Sequence, residues 1–215
     1  MSFCKNPRFS ELLLRVLGEP GLENDVADII YLFGQTPDNE DSVLTKAVEV
    51  YNQRRAKLIG FSTEKSGSAG YAGFQHWKDS LITADIPENI IVGINLLVLR
   101  ENFNTLSEAE ALIKEAKIRN WKKAYITAPA FHLPRAFITT ISVVLREYPQ
   151  LKVYSLVGIP LDWNERVRHS QGTTVGTRTE LIMGELERID RYHAKGDLVS
   201  LEKIFNYLGS RDTEV

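Results

Sequence analysis

The 215-residue chain has a single cysteine, Cys4, so no intramolecular disulfide can form and no oxidising compartment is implied. No glycine-rich elbow or neighbouring base accompanies Cys4, which argues against a catalytic thiol. The N-terminal stretch lacks a signal-peptide core, and no apolar run approaches the roughly 18 residues of a membrane span. A cytoplasmic location is the expectation. Charge of one sign is also lacking: the formal net charge is −2, whereas a general nucleic-acid binder shows a basic face. No membrane span and no nucleic-acid partner are therefore expected. Several site signatures are missing as well. There is no G-x-G-x-x-G, no P-loop, no H-E-x-x-H or Cys-x-x-Cys pair and no G-x-S-x-G. His76, His132, His169 and His193 are scattered, so no metal is expected.

What is present is alternation. Buried strands are predicted at Ala27–Phe33, Lys57–Phe61, the first half of Asn89–Leu99, Ala124–Thr127 and Lys152–Val157. Helices are predicted at Ser10–Leu17, Glu40–Arg54, Phe74–Thr83, Ser107–Arg119 and Pro134–Glu147. A long helix over Arg178–Lys195 should stop at Gly196, with Asp197 capping a last helix through Leu208. Strand–helix alternation implies a three-layer α/β, Rossmann-like fold, with a mostly parallel sheet and helices on both faces. We read residues 1–215 as a single domain. Its core spans about 26–160, and a C-terminal helical extension covers about 161–215. Binding residues then belong at the carboxyl ends of strands, near a topological switch point. The loops there are Gly34–Glu40, Ser62–Tyr71, Arg100–Asn104, Ala128–Leu133 and Pro160–Thr177. Nothing in the pattern fixes an oligomeric state.

The stretch Trp121 to Thr139 is the most informative. It reads as a strand ending at Thr127, a tight loop from Ala128 to Leu133 containing Phe131 and His132, and a helix opening at Pro134. Proline suits a first helical position. His132 and Arg135 then lie beside a helix N-terminus, which favours an anion. An arginine opposes the dipole there, so anion recognition by its planar fork gives it a reason to be present. The plain alternative is an arginine paired with a nearby acid. Folding stability should depend little on Arg135 if it is a solvated pocket residue.

Three other segments bear on a ligand. Thr105-Leu-Ser-Glu108 reads as a capping box, while Asn104 and Glu108 also belong on the pocket wall facing Arg135. Gly34-Gln35-Thr36 follows the first strand, and Gly34 permits close backbone approach to a ligand. The run Gly172 to Arg178, with Arg166, Arg168 and His169 upstream, reads as a solvated loop. Its functional version is a lid carrying Arg166, Arg168, Thr173 and Arg178 over a bound anion. The helix around Glu185 reads as solvated or partner-facing.

Motif order resembles the YdcF/SanA/ElyC family over roughly Asp28 to Pro160, chiefly in Asn104-Thr105-x-x-Glu108-Ala109 and Phe131-His132-Leu133-Pro134-Arg135-Ala136. The strand ending Leu32-Phe33-Gly34 matches the family's first strand and glycine turn. Phe61-Ser62-Thr63-Glu64 stands in place of a glycine-rich second turn. The resemblance implies a Rossmann-like domain of unassigned chemistry from the soluble subgroup. Named members are linked to bacterial envelope maintenance, and a cytosolic member has been associated with S-adenosylmethionine. The expectation is a small-molecule ligand, anionic and nucleotide-like or phosphorylated, with S-adenosylmethionine as the cofactor the resemblance raises. Arg135 would hold the anion. His132 and Glu108 would be the catalytic groups. Gly34, Gln35, Asn104, Thr105, Thr127, Ala128 and Phe131 would bind. The protein would be an enzyme, a transferase or hydrolase, or else a non-catalytic metabolite-sensing or envelope-related regulatory module.

Overall fold

The computed structural model describes residues 2–213 apart from 23–24, 66, 68–69, 97–102 and 170–173. Thr173 of the expected lid, the start of the Arg100–Asn104 loop and the end of the Asn89–Leu99 segment lie outside the described residues.

Five strands form one parallel sheet in the order β3-β2-β1-β4-β5. They are β1 (Ile29–Leu32), β2 (Ile59–Ser62), β3 (Ile91–Ile94), β4 (Lys123–Ala128) and β5 (Lys152–Val157). Each central strand is apolar along its length because a parallel sheet is covered on both faces. The period of two divides its side chains between those faces. Ile29, Tyr31 and Phe33 enter one apolar cluster, and Ile30 and Leu32 enter the other.

Helices α2 (Glu40–Asn52) and α3 (Phe74–Thr83) cover the second cluster through Val43, Ala47, Val50, Trp77 and Leu81. Helices α1 (Arg8–Leu17), α4 (Thr105–Ile118) and α5 (Leu133–Glu147) cover the first. Helices α6 (Arg178–Ala194) and α7 (Leu201–Thr213) extend the same side, where Ile189, Leu201, Ile204 and Leu208 join the first cluster. The expected three-layer architecture with extra C-terminal helices is thus present.

Two local expectations are corrected. The Pro160–Thr177 loop contains an antiparallel hairpin, β6 (Arg166–His169) with β7 (Thr174–Thr177), in which His169 faces Thr174. Alternating burial along β6, with Val167 and His169 inward and Arg166 and Arg168 outward, is the strand signature. Gly196 does stop α6 with a positive φ of 81°. The cap of α7, however, is Ser200, whose carbonyl accepts from Ile204 N–H and whose hydroxyl accepts from Lys203 N–H.

Candidate functional site

The chain runs β1, β2, β3 toward one edge and resumes with β4 on the other side of β1. That reversal opens a crevice at the carboxyl ends of β1 and β4. Gly34, Asn104, His132 and Arg135 line one cleft there, as the loop placement predicted, together with Glu108 and His169. The free space between the described residues is about 30 Å3. That is room for a ligand's head group of a few atoms, since one water needs about 10–15 Å3.

Glu108 is not part of the cap. Asn104 is the N-cap of α4, accepting from Leu106 and Ser107 N–H while Ser107 Oγ accepts from Asn104 N–H. The box is therefore Asn104/Ser107, one residue earlier than the sequence suggests. Asparagine is a better cap than threonine, and this register leaves the Glu108 carboxyl available inside the fold. Its Oε1 accepts from Gly34 N–H at 2.8 Å and from Tyr31 O–H at 3.2 Å. Burial pushes Glu108 up to about 8, against the opposing pull of the Gly34 and Tyr31 bonds and the Arg135 charge. With Oε1 accepting twice, the proton belongs on Oε2, which has no hydrogen-bond partner among the described residues. A carboxyl that changes charge near neutrality in a cleft is the type of group acid–base chemistry requires.

Gly34 does not offer its open face to a ligand. A Cβ there would strike the ring of Phe103, with the Glu108 carboxylate next nearest. The close approach the glycine permits is to these side chains, while Gly34 itself lines the cleft. Tyr71 stacks on Phe103, with ring centroids 5.3 Å apart, and closes the same wall.

His132 is the N-cap of α5 by position but makes no side-chain cap. Its Nδ1 lies 3.1 Å from Gln35 Nε2, and its Nε2 lies 3.3 Å from Thr105 Oγ1. Gln35 Nε2 also donates to the Phe33 carbonyl. A carbonyl only accepts, so the amide orientation is fixed, Nδ1 of His132 must accept, and Nε2 carries the proton. Burial, then the Arg135 charge, holds His132 well below its ordinary value, so the ring is neutral. Thr105 Oγ1 accepts from His132 and, at 2.6 Å, from Arg135 Nη1. Its own proton is left to donate.

Arg135 differs most from its expected setting. It is buried, and its fork grips Glu185 of α6, with Nε 2.5 Å from Oε2 and Nη2 3.3 Å from Oε1. Glu185 also accepts from His169 Nε2 at 2.7 Å and Arg188 Nη1 at 2.6 Å. Burial raises the Glu185 carboxyl, but Arg135 and the His169 bond overrule it and hold it well below the carboxylate range. The expectation of a solvated pocket arginine is thus corrected: the plain alternative, pairing with an acid, is what the side chain does. Two guanidinium charges against one carboxylate still leave the cluster positive, leaving the imidazoles aside. The sequence reads this helix as solvated or partner-facing, yet Leu181, Glu185 and Ile189 are all buried at four-residue spacing on α6. That stripe was the signal that could have placed it.

The lid expectation is corrected too. The side chains of Arg166 and Arg168 are exposed, and neither lines the cleft. Arg168 instead fastens the hairpin through its backbone: its carbonyl accepts from Thr36 and Asn39, and its N–H donates to Asp38. Arg178 is buried and donates to Asn39, to the Asp38 and Asp162 carbonyls and to Glu165. It clamps the β1–α2 loop to the start of α6. Thr127, Ala128 and Phe131 lie outside the cleft. The Thr127 hydroxyl is buried without a hydrogen-bond partner among the described residues, and the Ala128 carbonyl accepts from Gly158 N–H. The Phe131 ring packs edge-on against His169, centroids 5.0 Å apart.

Among the described residues, no group of three or more His, Cys, Asp or Glu is placed to hold a metal ion, and no helix is long and apolar enough to cross a membrane. Between the described residues the cleft offers S-adenosylmethionine room for only a few of its atoms, and the approach at Gly34 is taken by Phe103. Comparison with protein-family models, with curated proteins and with solved structures finds no match.

Proposed function

We propose that this protein binds the anionic head of a nucleotide-like or phosphorylated small molecule at the carboxyl edge of its sheet, and that it is an enzyme in which Glu108 handles the proton. The observation that carries this reading is the Glu108 carboxyl. It is buried, shifted to about 8 and saturated at Oε1, beside the Thr105 hydroxyl and the Arg135 guanidinium. Near neutrality these groups are all donors, a set that suits an oxyanion and disfavours a cation. The starts of α4 and α5 add their dipoles with the same sign.

The YdcF/SanA/ElyC-like assignment, with a cytoplasmic location, belongs to the same proposal. Its support is that residues of the two motifs carrying the resemblance, Asn104–Ala109 and Phe131–Ala136, line one cleft and join through the Thr105 contacts to His132 and Arg135. A second reading, a non-catalytic metabolite sensor, is favoured by His132. Both of its ring nitrogens are engaged, so it positions Thr105 and has no lone pair left to take a proton.

A thermal-shift panel of nucleotides, sugar phosphates, polyprenyl phosphates and S-adenosylmethionine tests the reading. A ligand at about 100 times its Kd adds about 2.7 kcal/mol, which for a domain of this size is roughly 5–10 °C in Tm. Phosphorylated members should shift the protein and their uncharged parents should not. No shift with any anionic member would sink the proposal. Turnover of the binder identifies an enzyme, and its unchanged recovery identifies a sensor.

A further inference from the structure

A second cavity of about 150 Å3 lies at the carboxyl ends of β4 and β5. Its walls are mainly apolar, from Phe131, Val157, Ile159 and Leu161, and Trp163, 42 % exposed, also lines it. The polar side chains in the wall are largely committed. Ser42 Oγ donates to the Ile159 carbonyl, and the Ser42 carbonyl accepts from Ile159 N–H. Arg178 spends donors on every guanidinium nitrogen, at 2.6–2.9 Å, on Asn39, Asp38, Asp162 and Glu165. Four of its five N–H groups are thereby used, which leaves one Nη2 N–H and the flat face of the guanidinium, a surface that attracts an aromatic ring.

We infer that this cavity is a binding site for an uncharged, single-ring aromatic group. Size and wall chemistry agree on that class. An apolar cavity of about this volume in another protein admits benzene. A charged group would lose its hydration against mainly apolar walls, with one guanidinium N–H to answer it. The hydrogen bonds between Ser42 and Ile159 and between Gly158 N–H and the Ala128 carbonyl hold the walls in place, so the site needs no closure before binding. The site is separate from the Glu108–Arg135 cleft, with the β4–α5 loop between them: Phe131 lines this cavity and His132 lines the cleft. The inference therefore does not depend on what that cleft binds.

Phenol is the probe, titrated by NMR against the full chain. Saturable binding is expected, with magnetisation transfer between the phenol ring and the Trp163 indole. Cyclohexanol, of similar size without the π-face, should bind roughly two- to fivefold more weakly, the share a cation–π contact supplies. Benzoate, bearing a charge, should bind more weakly than phenol. Ala130→Phe fills the cavity from its rim and should abolish phenol binding without lowering Tm. The transfer to Trp163 is read in the unsubstituted protein and stands whether or not that variant folds. Absence of saturable phenol binding, phenol contacts away from Trp163, or cyclohexanol binding as tightly as phenol would each overturn the assignment.

Discussion

Arg135→Ala is expected to cost about 3–5 kcal/mol of folding stability, because it leaves a buried carboxylate without its principal partner. Glu185 is 2 % exposed and receives its side-on pair from Arg135. Removing the guanidinium also strips Thr105 of one donor and opens a space the length of the side chain. Arg188 and His169 remain on Glu185 but cannot reproduce the paired geometry. Arg135→Lys should recover only part of the loss, since an ammonium lacks the two parallel donors. Glu185→Ala should be as damaging for the converse reason, a buried guanidinium left unpaired. Replacing both partners with apolar residues of similar volume, as in Arg135→Met with Glu185→Leu, should cost less than either alanine change alone. Urea denaturation of the four variants and the unsubstituted protein measures this. An Arg135→Ala loss below about 1 kcal/mol, the range of exposed pairs, would show that the pair is not buried in solution.

That expectation reverses the one drawn from sequence, and the reversal shows what local pattern can and cannot carry. Strand-to-helix alternation sets the architecture, because each parallel strand must be apolar on both faces and each turn must break the run. The loops after β1 and β4 could be placed at one cleft for the same reason. The partner of Arg135 could not be found that way: Glu185 lies 50 positions later, on a helix whose charged composition reads as solvated or partner-facing. Only the Leu181, Glu185, Ile189 spacing hints that it turns inward.

Glu108 illustrates the converse failure. A Thr-x-x-Glu pattern is a sound capping signal, but Asn104 competes for the same role one residue earlier and wins. The consequence of that slip is chemical, since it converts a surface glutamate into a buried acid. His169 and the clamp role of Arg178 were hidden because a short hairpin with polar alternate residues looks like a loop. In each case sequence located the right segment. It failed where the side chain's partner is distant along the chain.

The second large effect is a pH dependence of stability that belongs to Glu108. Its folded value, about 8, lies above its ordinary 4.5, so the folded chain keeps a proton that the unfolded chain releases. Stability therefore falls as pH rises from about 4.5 through about 8, by roughly 1.4 kcal/mol per pH unit where this group acts alone. His132 has the opposite sign. Burial holds it below its ordinary 6.5, so its contribution is complete above 6.5 and declines as the solution is acidified. Below 6.5 the two slopes oppose each other, and the curve should be shallower than above it. Below 4.5 Glu185, whose carboxyl is held low, loses its contribution as well. Above 6.5 Glu108 acts alone, and about 2 kcal/mol should disappear by pH 8. Glu108→Gln keeps an oxygen for Gly34 N–H and Tyr31 O–H but cannot ionise. The variant should lose the decline above 6.5 and show, below 6.5, a rise of stability with pH that Glu108 opposes in the unsubstituted protein. Denaturation midpoints across pH 4 to 9 measure both curves. Parallel curves would mean that Glu108 ionises normally, and the acid proposed to handle the proton would then be a spectator. If the curves separate as expected, an oxyanion that accepts the Glu108 proton should bind more tightly below pH 8 than above it, which links folding, protonation and ligand at one carboxyl.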